Sequence, residues 1–260
     1  MEIPKFQSKE ELFDFLVKNK SALVAEKCHS VKHGDVITMG DSLGVANKAA
    51  APKPGSTDTI QVKAIINTTK IMDSHGDVHI DGLWTKSLKE NKMIYLLQEH
   101  VMSYKNIISD EVKASAETMT WKELGFNYKG ETQALVFDAT VKREDNEYMF
   151  GKYANGKVKN HSVGMRYMKI ALAINSDDDQ YALEKAVWDK YSPEVVNIKD
   201  AEAAGYFWAV TEAKVIEGSA VPIGSNRATP TYSVESKDNA DTSAPAVEPS
   251  ADTLKRKRIF

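Results

Sequence analysis

From Thr59 to Ile223 the apolar residues come in short, β-branched runs separated by single helical stretches. They never settle into the regular strand–helix–strand alternation that builds a parallel sheet. This pattern predicts an α+β domain, a mostly antiparallel β-sheet or β-barrel core with helices around it. Thr59 to Thr69, carrying Ile60, Val62, Ile65 and Ile66, reads as a strand. Leu83 to Lys92 reads as a short helix, and Met93 to Leu97 as a buried strand that ends at Gln98-Glu99-His100. Ala134 to Val141 alternates as a strand should, and Asp145 to Ala154 reads as a helix stopped by Asn155-Gly156. Lys157 to Ile174 supplies one long strand or two. After an exposed turn at Asp177-Asp178-Asp179, Gln180 to Tyr191 is amphipathic at helical spacing, Tyr206 to Val215 reads as a strand, and Ala220 to Ile223 as a further short one.

The flanks differ. Residues 9–27 read as one amphipathic helix, with Ser8 as cap, Glu11 at the capping-box position, and Leu12, Phe13, Leu16, Leu23 and Val24 on one face. Val31 to Met39 is a weaker strand candidate, and the small, proline-containing stretch within residues 43–58 reads as a linker. From Ser233 the composition turns to Ser, Asp, Ala, Pro and Glu, which predicts a disordered tail over 233–260. The expected organisation is therefore an N-terminal helical extension (1–42), a linker (43–58), a body (59–232) and a tail. The 260 residues carry a formal net charge of -3, which argues against a nucleic-acid surface spread over the molecule. The basic run Lys255-Arg256-Lys257-Arg258 reads as a solvated tail. Cys28 is the single cysteine, so neither an internal disulfide nor a multi-cysteine zinc site is expected. There is no secretory leader pattern and no apolar stretch of membrane-spanning length, so a soluble, cytosolic protein is expected.

Serine-based acyl transfer needs a hydroxyl, a base, a group that orients the base, and donors for an oxyanion. His100 stands at the exit of the Ile94–Leu97 strand. Ser162 lies in His161-Ser162-Val163-Gly164-Met165, where Gly164 leaves the backbone open for a peptide or an oxyanion pocket. Glu217, in Glu217-Gly218-Ser219-Ala220-Val221-Pro222, again follows a strand. His161 neighbours Ser162 along a strand and so points to the other face. Asp138 is an alternative acid. Asp73, His75, Asp77, His79 and Asp81 alternate, as metal ligands on one extended face would. A calcium loop starting at Asp77 fails, because Leu88 stands where its final glutamate belongs. This run is read as a solvated, turn-capping stretch, and no metal or cofactor is expected.

The chain order His, Ser, acid, each at a strand boundary, resembles the prohead maturation proteases of tailed bacteriophages, relatives in fold of the herpesvirus assembly proteases. The resemblance runs from Thr59 to about Tyr232. It is carried by four stretches in order: Asp73–Trp84, Leu96–His100, His161–Met165 and Glu217–Ala228. The family usually closes with Pro-Ala-Asn-Pro, where this chain has Ile223-Gly224-Ser225-Asn226. The resemblance implies a serine endopeptidase with Ser162 as nucleophile, His100 as general base and Glu217 as the orienting acid. Gly164 and Arg166 would form the oxyanion region. It further implies action inside the assembling prohead in the host cytoplasm, on the major capsid protein, the scaffold and the enzyme's own flanks, with self-cleavage within 43–58 or 233–255, and it allows a homo-oligomer. The competing readings are an inactive scaffold or capsid-assembly protein with the same fold, and an unrelated small-molecule hydrolase.

Overall fold

The β-branched run that opens the body forms β1 (Thr59–Thr68), the central strand of an antiparallel sheet. In the computed structural model, which describes residues 4–29, 31, 58–91 and 93–236, β1 pairs on one side with β6 (Glu131–Lys142) and on the other with β9 (Thr231–Ser236). β5 (Val112–Thr120) pairs with β6 and forms that edge. A register shift between Ile65 and Asn67 kinks β1 and turns the Asn67 side chain into a buried polar cluster.

The second sheet is organised by β8 (Tyr206–Val221). β7 (Asn160–Ile174) runs antiparallel to it along nearly its whole length. On the opposite side β2 (Asp77–His79) and β3 (Leu96–Gln98) each pair parallel with it, one near either end, and β4 (Ile107–Ser109) pairs with β3. Between β2 and β3 the edge of β8 is covered by α3 (Thr85–Glu90) and its flanks. Ser87 Oγ accepts from Val215 N at 2.9 Å, Leu83 O accepts from Ala213 N at 2.9 Å, and Asn91 donates to Val215 O. Backbone groups that a missing strand would have left bare are thus satisfied.

The inner faces of both sheets meet in one apolar core that includes Ile60, Val62, Ile66, Leu96, Phe137, Val163, Met165 and Val215. A bridge between Asn160 and Pro230, with Ile65 N donating to Pro230 O, ties the sheets together along one side, and no continuous ladder closes them into a barrel among the described residues. The chain is an α+β protein with one antiparallel and one mixed sheet.

Around the sheets lie α4 (Glu147–Ala154), α5 (Ala182–Tyr191), α6 (Ile198–Ala204) and the N-terminal pair α1 (Lys9–Lys18) and α2 (Lys20–His29). No described helix is long and apolar enough to cross a membrane. Phe13, Leu16 and Leu23 of the N-terminal pair pack on Leu172, Ile174, Tyr181 and Trp208 at the far end of the β7–β8 ribbon. Burying three such side chains stabilises the contact by on the order of 5 kcal/mol, so these helices are part of the body.

Several expectations change here. The single helix over 9–27 is two, broken at Asn19, whose side chain donates to Phe15 O at 2.8 Å and caps the first. Tyr206–Val215 and Ala220–Ile223, expected as two strands, are one, β8. The tail predicted from Ser233 starts inside β9, which is paired to β1 as far as Ser236. The Asp73–Asp81 run does cap a turn, since Asp73 Oδ1 accepts from the N–H groups of His75 and Asp77 at 2.8 and 3.0 Å. It is not solvated, because Asp73, Asp77 and His79 are all buried. The Val31–Met39 strand, the linker at 43–58 and the tail with its basic run lie outside the described residues, apart from Val31, Asp58 and residues 233–236.

Candidate active site

Three strands converge where β8 meets β3 and β7. In antiparallel register Ser162 stands opposite Ser219 and Gly164 opposite Glu217, so these four residues share one face of the sheet. Val163, Gly218 and Leu96 fill the other face, toward the core. β3 delivers His100 to the first face. Its parallel pairing ends at Gln98–Ala220, and Glu99 N donates to Ala220 O at 3.0 Å. The chain then reverses in a tight turn closed by Val101 N donating to Gln98 O at 3.1 Å.

Both central residues of that turn, Glu99 and His100, have positive φ, 55° and 60°. Paired positive φ values are the signature of the hairpin turns that favour Asn-Gly, and neither residue here is of that kind. Each costs about 1 kcal/mol or more relative to relaxed backbone, and the surrounding contacts must hold it. They do so directly. His100 N donates to Ser219 Oγ at 3.1 Å, and His100 Nδ1 donates to Glu217 Oε1 at 2.6 Å. Ser219 Oγ in turn donates to Glu217 Oε2 at 2.6 Å. One hydroxyl therefore binds both the backbone of the histidine and the carboxylate that holds its ring.

The pair is almost dry, with side-chain exposures of 10% for His100 and 2% for Glu217, and the outer ring nitrogen Nε2 is shielded from solvent. Ser162 is 4% exposed. With Nδ1 committed to the carboxylate, Nε2 is the nitrogen left to exchange a proton with a neighbouring hydroxyl.

Gly164 has a task beyond the one its sequence context suggests. A Cβ built on it would lie 1.9 Å from Glu217 Oε1 and 2.7 Å from Cδ. The carboxylate occupies the space of the missing side chain, so the glycine makes room for the acid. Arg166, two residues on, is exposed and lines a shallow cleft of about 300 Å³ on the same sheet face, together with Asn91, Met93 and Lys214.

The remaining candidates are not brought to this point. His161 points into the core, where Tyr153 donates to its Nε2 at 2.9 Å and its Nδ1 donates to Thr229 O at 3.2 Å. Burial pushes this imidazole down to about 4 and keeps it neutral. Asp138 lies on β6 opposite Lys63 and Lys113, on the face away from Phe137 and the core. Among the described residues no group of three or more His, Cys, Asp or Glu side chains is arranged to hold a metal ion. Ser219 was the residue missed in sequence reasoning. Its signal is the two-residue spacing from Glu217, which on a strand puts both side chains on one face.

Asp73, Asp77 and His79 belong instead to a separate buried network. Asn67 Nδ2 donates to His79 Nδ1 at 3.3 Å, and His79 Nε2 donates to Tyr167 Oη at 3.1 Å. Tyr167 donates to Asp77 Oδ2 at 2.9 Å, and Lys27 of α2 holds Asp77 Oδ1. Burial pushes His79 down and Asp77 up, the latter against the pull of Lys27.

Comparison of the chain with protein-family models, with curated proteins and with solved structures gives no match in any of the three.

Proposed function

We propose that this chain is a serine endopeptidase that cleaves scaffold and capsid proteins, and its own flanks, inside the assembling prohead of a tailed bacteriophage in the host cytoplasm. The observation that carries the reading is the buried Glu217–His100 pair at 2.6 Å on the sheet face that Ser162 shares, with Gly164 vacating the space for the carboxylate. A buried imidazole–carboxylate pair beside a serine is the arrangement that activates a hydroxyl for acyl transfer. The capsid setting comes from the resemblance of the four ordered stretches.

In this mechanism Ser162 Oγ attacks the scissile carbonyl while His100 Nε2 takes its proton. Glu217 keeps Nδ1 protonated and stabilises the imidazolium that forms. Backbone N–H groups near Gly164 receive the oxyanion. The imidazolium returns the proton to the leaving amine, and water, activated by the same nitrogen, releases the acyl group from Ser162.

Ser162→Ala and His100→Ala, each co-expressed with the capsid protein, should leave it uncut, and the two losses should be of similar size because the residues act as a unit. Full processing by Ser162→Ala would overturn the reading.

A further inference from the structure

At the candidate nucleophile β7 has two edges, and β8 holds only one of them. Ser162 stands opposite Ser219 on that side. Along the other edge runs the segment that leaves β8 and returns as β9, and it meets β7 at the two residues before Ser162. His161 N donates to Thr229 O at 3.0 Å, and the Thr229 hydroxyl donates to His161 O at 2.7 Å. In a regular antiparallel pair both bonds are made by main chain, so a side chain here supplies the second one. The carbonyl it holds belongs to the planar peptide unit that also carries Ser162 N. The hydroxyl therefore sets the tilt of that plane, and with it the direction in which the Ser162 side chain leaves the strand. Thr229 is itself fixed. It is buried, and its hydroxyl also lies 3.2 Å from Asn226 O. Asn226 is fastened to β1, its Nδ2 donating to Asn67 Oδ1 at 2.5 Å and to Thr68 O at 2.9 Å. Its Oδ1 accepts from Thr68 Oγ1 at 3.1 Å and from Ala228 N at 2.9 Å. A Cβ on Gly224 would lie 2.6 Å from the same His161 carbonyl, so the segment is seated tightly on it.

We infer that Thr229 is a positioning residue for Ser162, acting through the His161–Ser162 peptide and without touching substrate. The inference rests on the protease reading above and adds to it the residue that aims the nucleophile. Glu217 and Ser219 fix the histidine from β8, and Thr229, anchored through Asn226 to β1, fixes the serine from the opposite edge of β7.

The test is the rate at which a fluorophosphonate labels Ser162 in the full chain, measured against probe concentration. Thr229→Val keeps the shape of the side chain and removes the donor. Its maximal labelling rate should fall on the order of 10–100-fold, the scale of a misplaced reacting group, with the half-saturating concentration unchanged. Thr229→Ser restores the hydroxyl and should label at close to the parent rate. Thr231→Val is the control for stability alone, because Thr231 Oγ1 makes the same kind of buried bond, to Val158 O at 2.8 Å, four residues before Ser162. It should lower the melting temperature about as much as Thr229→Val and leave the labelling rate as it is. Parent-rate labelling of Thr229→Val, an equal loss in Thr231→Val, or a Thr229→Ser variant as slow as Thr229→Val overturns the positioning role. Should Thr229→Val fail to fold, Thr229→Cys, with a weak S–H donor in the same place, is read instead. An intermediate rate supports the role and the parent rate overturns it. The parent chain separates the two levels. A labelled parent with an equally fast Thr229→Val removes the positioning role alone, whereas a parent that does not label, with cuts that persist in Ser162→Ala, removes the protease reading and this role with it.

Discussion

A methyl group on Gly164 would collide with Glu217, and the collision is with the carboxylate itself. Gly164→Ala should therefore swing the acid off His100 while the surrounding sheet stays intact. Turnover and the rate of fluorophosphonate labelling at Ser162 should fall on the order of 10²–10⁴-fold, the range of a lost general base, with an unchanged far-ultraviolet circular dichroism spectrum. An active Gly164→Ala variant would show that the acid is dispensable. Ser219→Ala is the milder change. It leaves the histidine N–H and one carboxylate oxygen without their partner, and it loosens a turn already held at positive φ. A loss of roughly tenfold in kcat, with Ser219→Thr recovering most of it, is expected for a group that positions others. These residues differ in how far the sequence announces them. His100, Ser162 and Glu217 are marked by their order, although Glu217 lies inside β8 and not at the strand end expected for it, and nothing in one dimension says that Gly164 is small on account of a residue 53 positions later.

The N-terminal helices, read from sequence as a separable extension, are built into the body. Lys27 reaches Asp77 and His75 O, lies over the Trp208 ring, and completes a chain of hydrogen bonds that ends on β1 at Asn67. Phe13 packs against Gly205, whose positive φ ends α6 and whose missing Cβ would lie 2.8 Å from the ring. Lys27→Met should lower stability by about 3 kcal/mol in urea unfolding, because it leaves the Asp77 carboxylate buried without its cation. The double variant Lys27→Met/Asp77→Asn should recover part of the loss, and a double-mutant cycle without coupling would deny the pair any role. The elements that were legible had strong apolar periodicity or clear stops: β1, β6, β7, and α4 with its Asn146 cap and Gly156 turn. β5 was invisible because it is an edge strand of small and polar residues, Val112-Lys113-Ala114-Ser115-Ala116, mostly half-buried or exposed. β9 was hidden by the polar composition that begins at Ser233. The Asp73–Asp81 run misled because its charges look solvated until Lys27, 50 residues before Asp77, is seen to pair with Asp77.

Acid should expose the buried histidines of the whole molecule together. Native His161 is held down to about 4 by burial, against 6.5 for the unfolded side chain, so between those values only the unfolded chain takes the extra proton. Stability from this residue is full above about pH 6.5 and is lost as the pH falls toward 4, by roughly 3 kcal/mol in all. His79, also pushed down by burial, acts in the same sense, while Asp77, pushed up, acts against it. Urea midpoints measured from pH 7 to pH 5 should fall less steeply for His161→Gln than for the parent chain, and equal slopes would refute the assignment. The topology has a further consequence, which concerns time. β8, whose last residue is Val221, supplies the edge for β2, β3 and β7 at once, and the segment at 229–236 then joins the two sheets. A chain still leaving the ribosome has its serine and histidine long before it has the strand that aligns them. The candidate site therefore comes together only once the chain has been made as far as Glu217 and Ser219, which hold His100 in place.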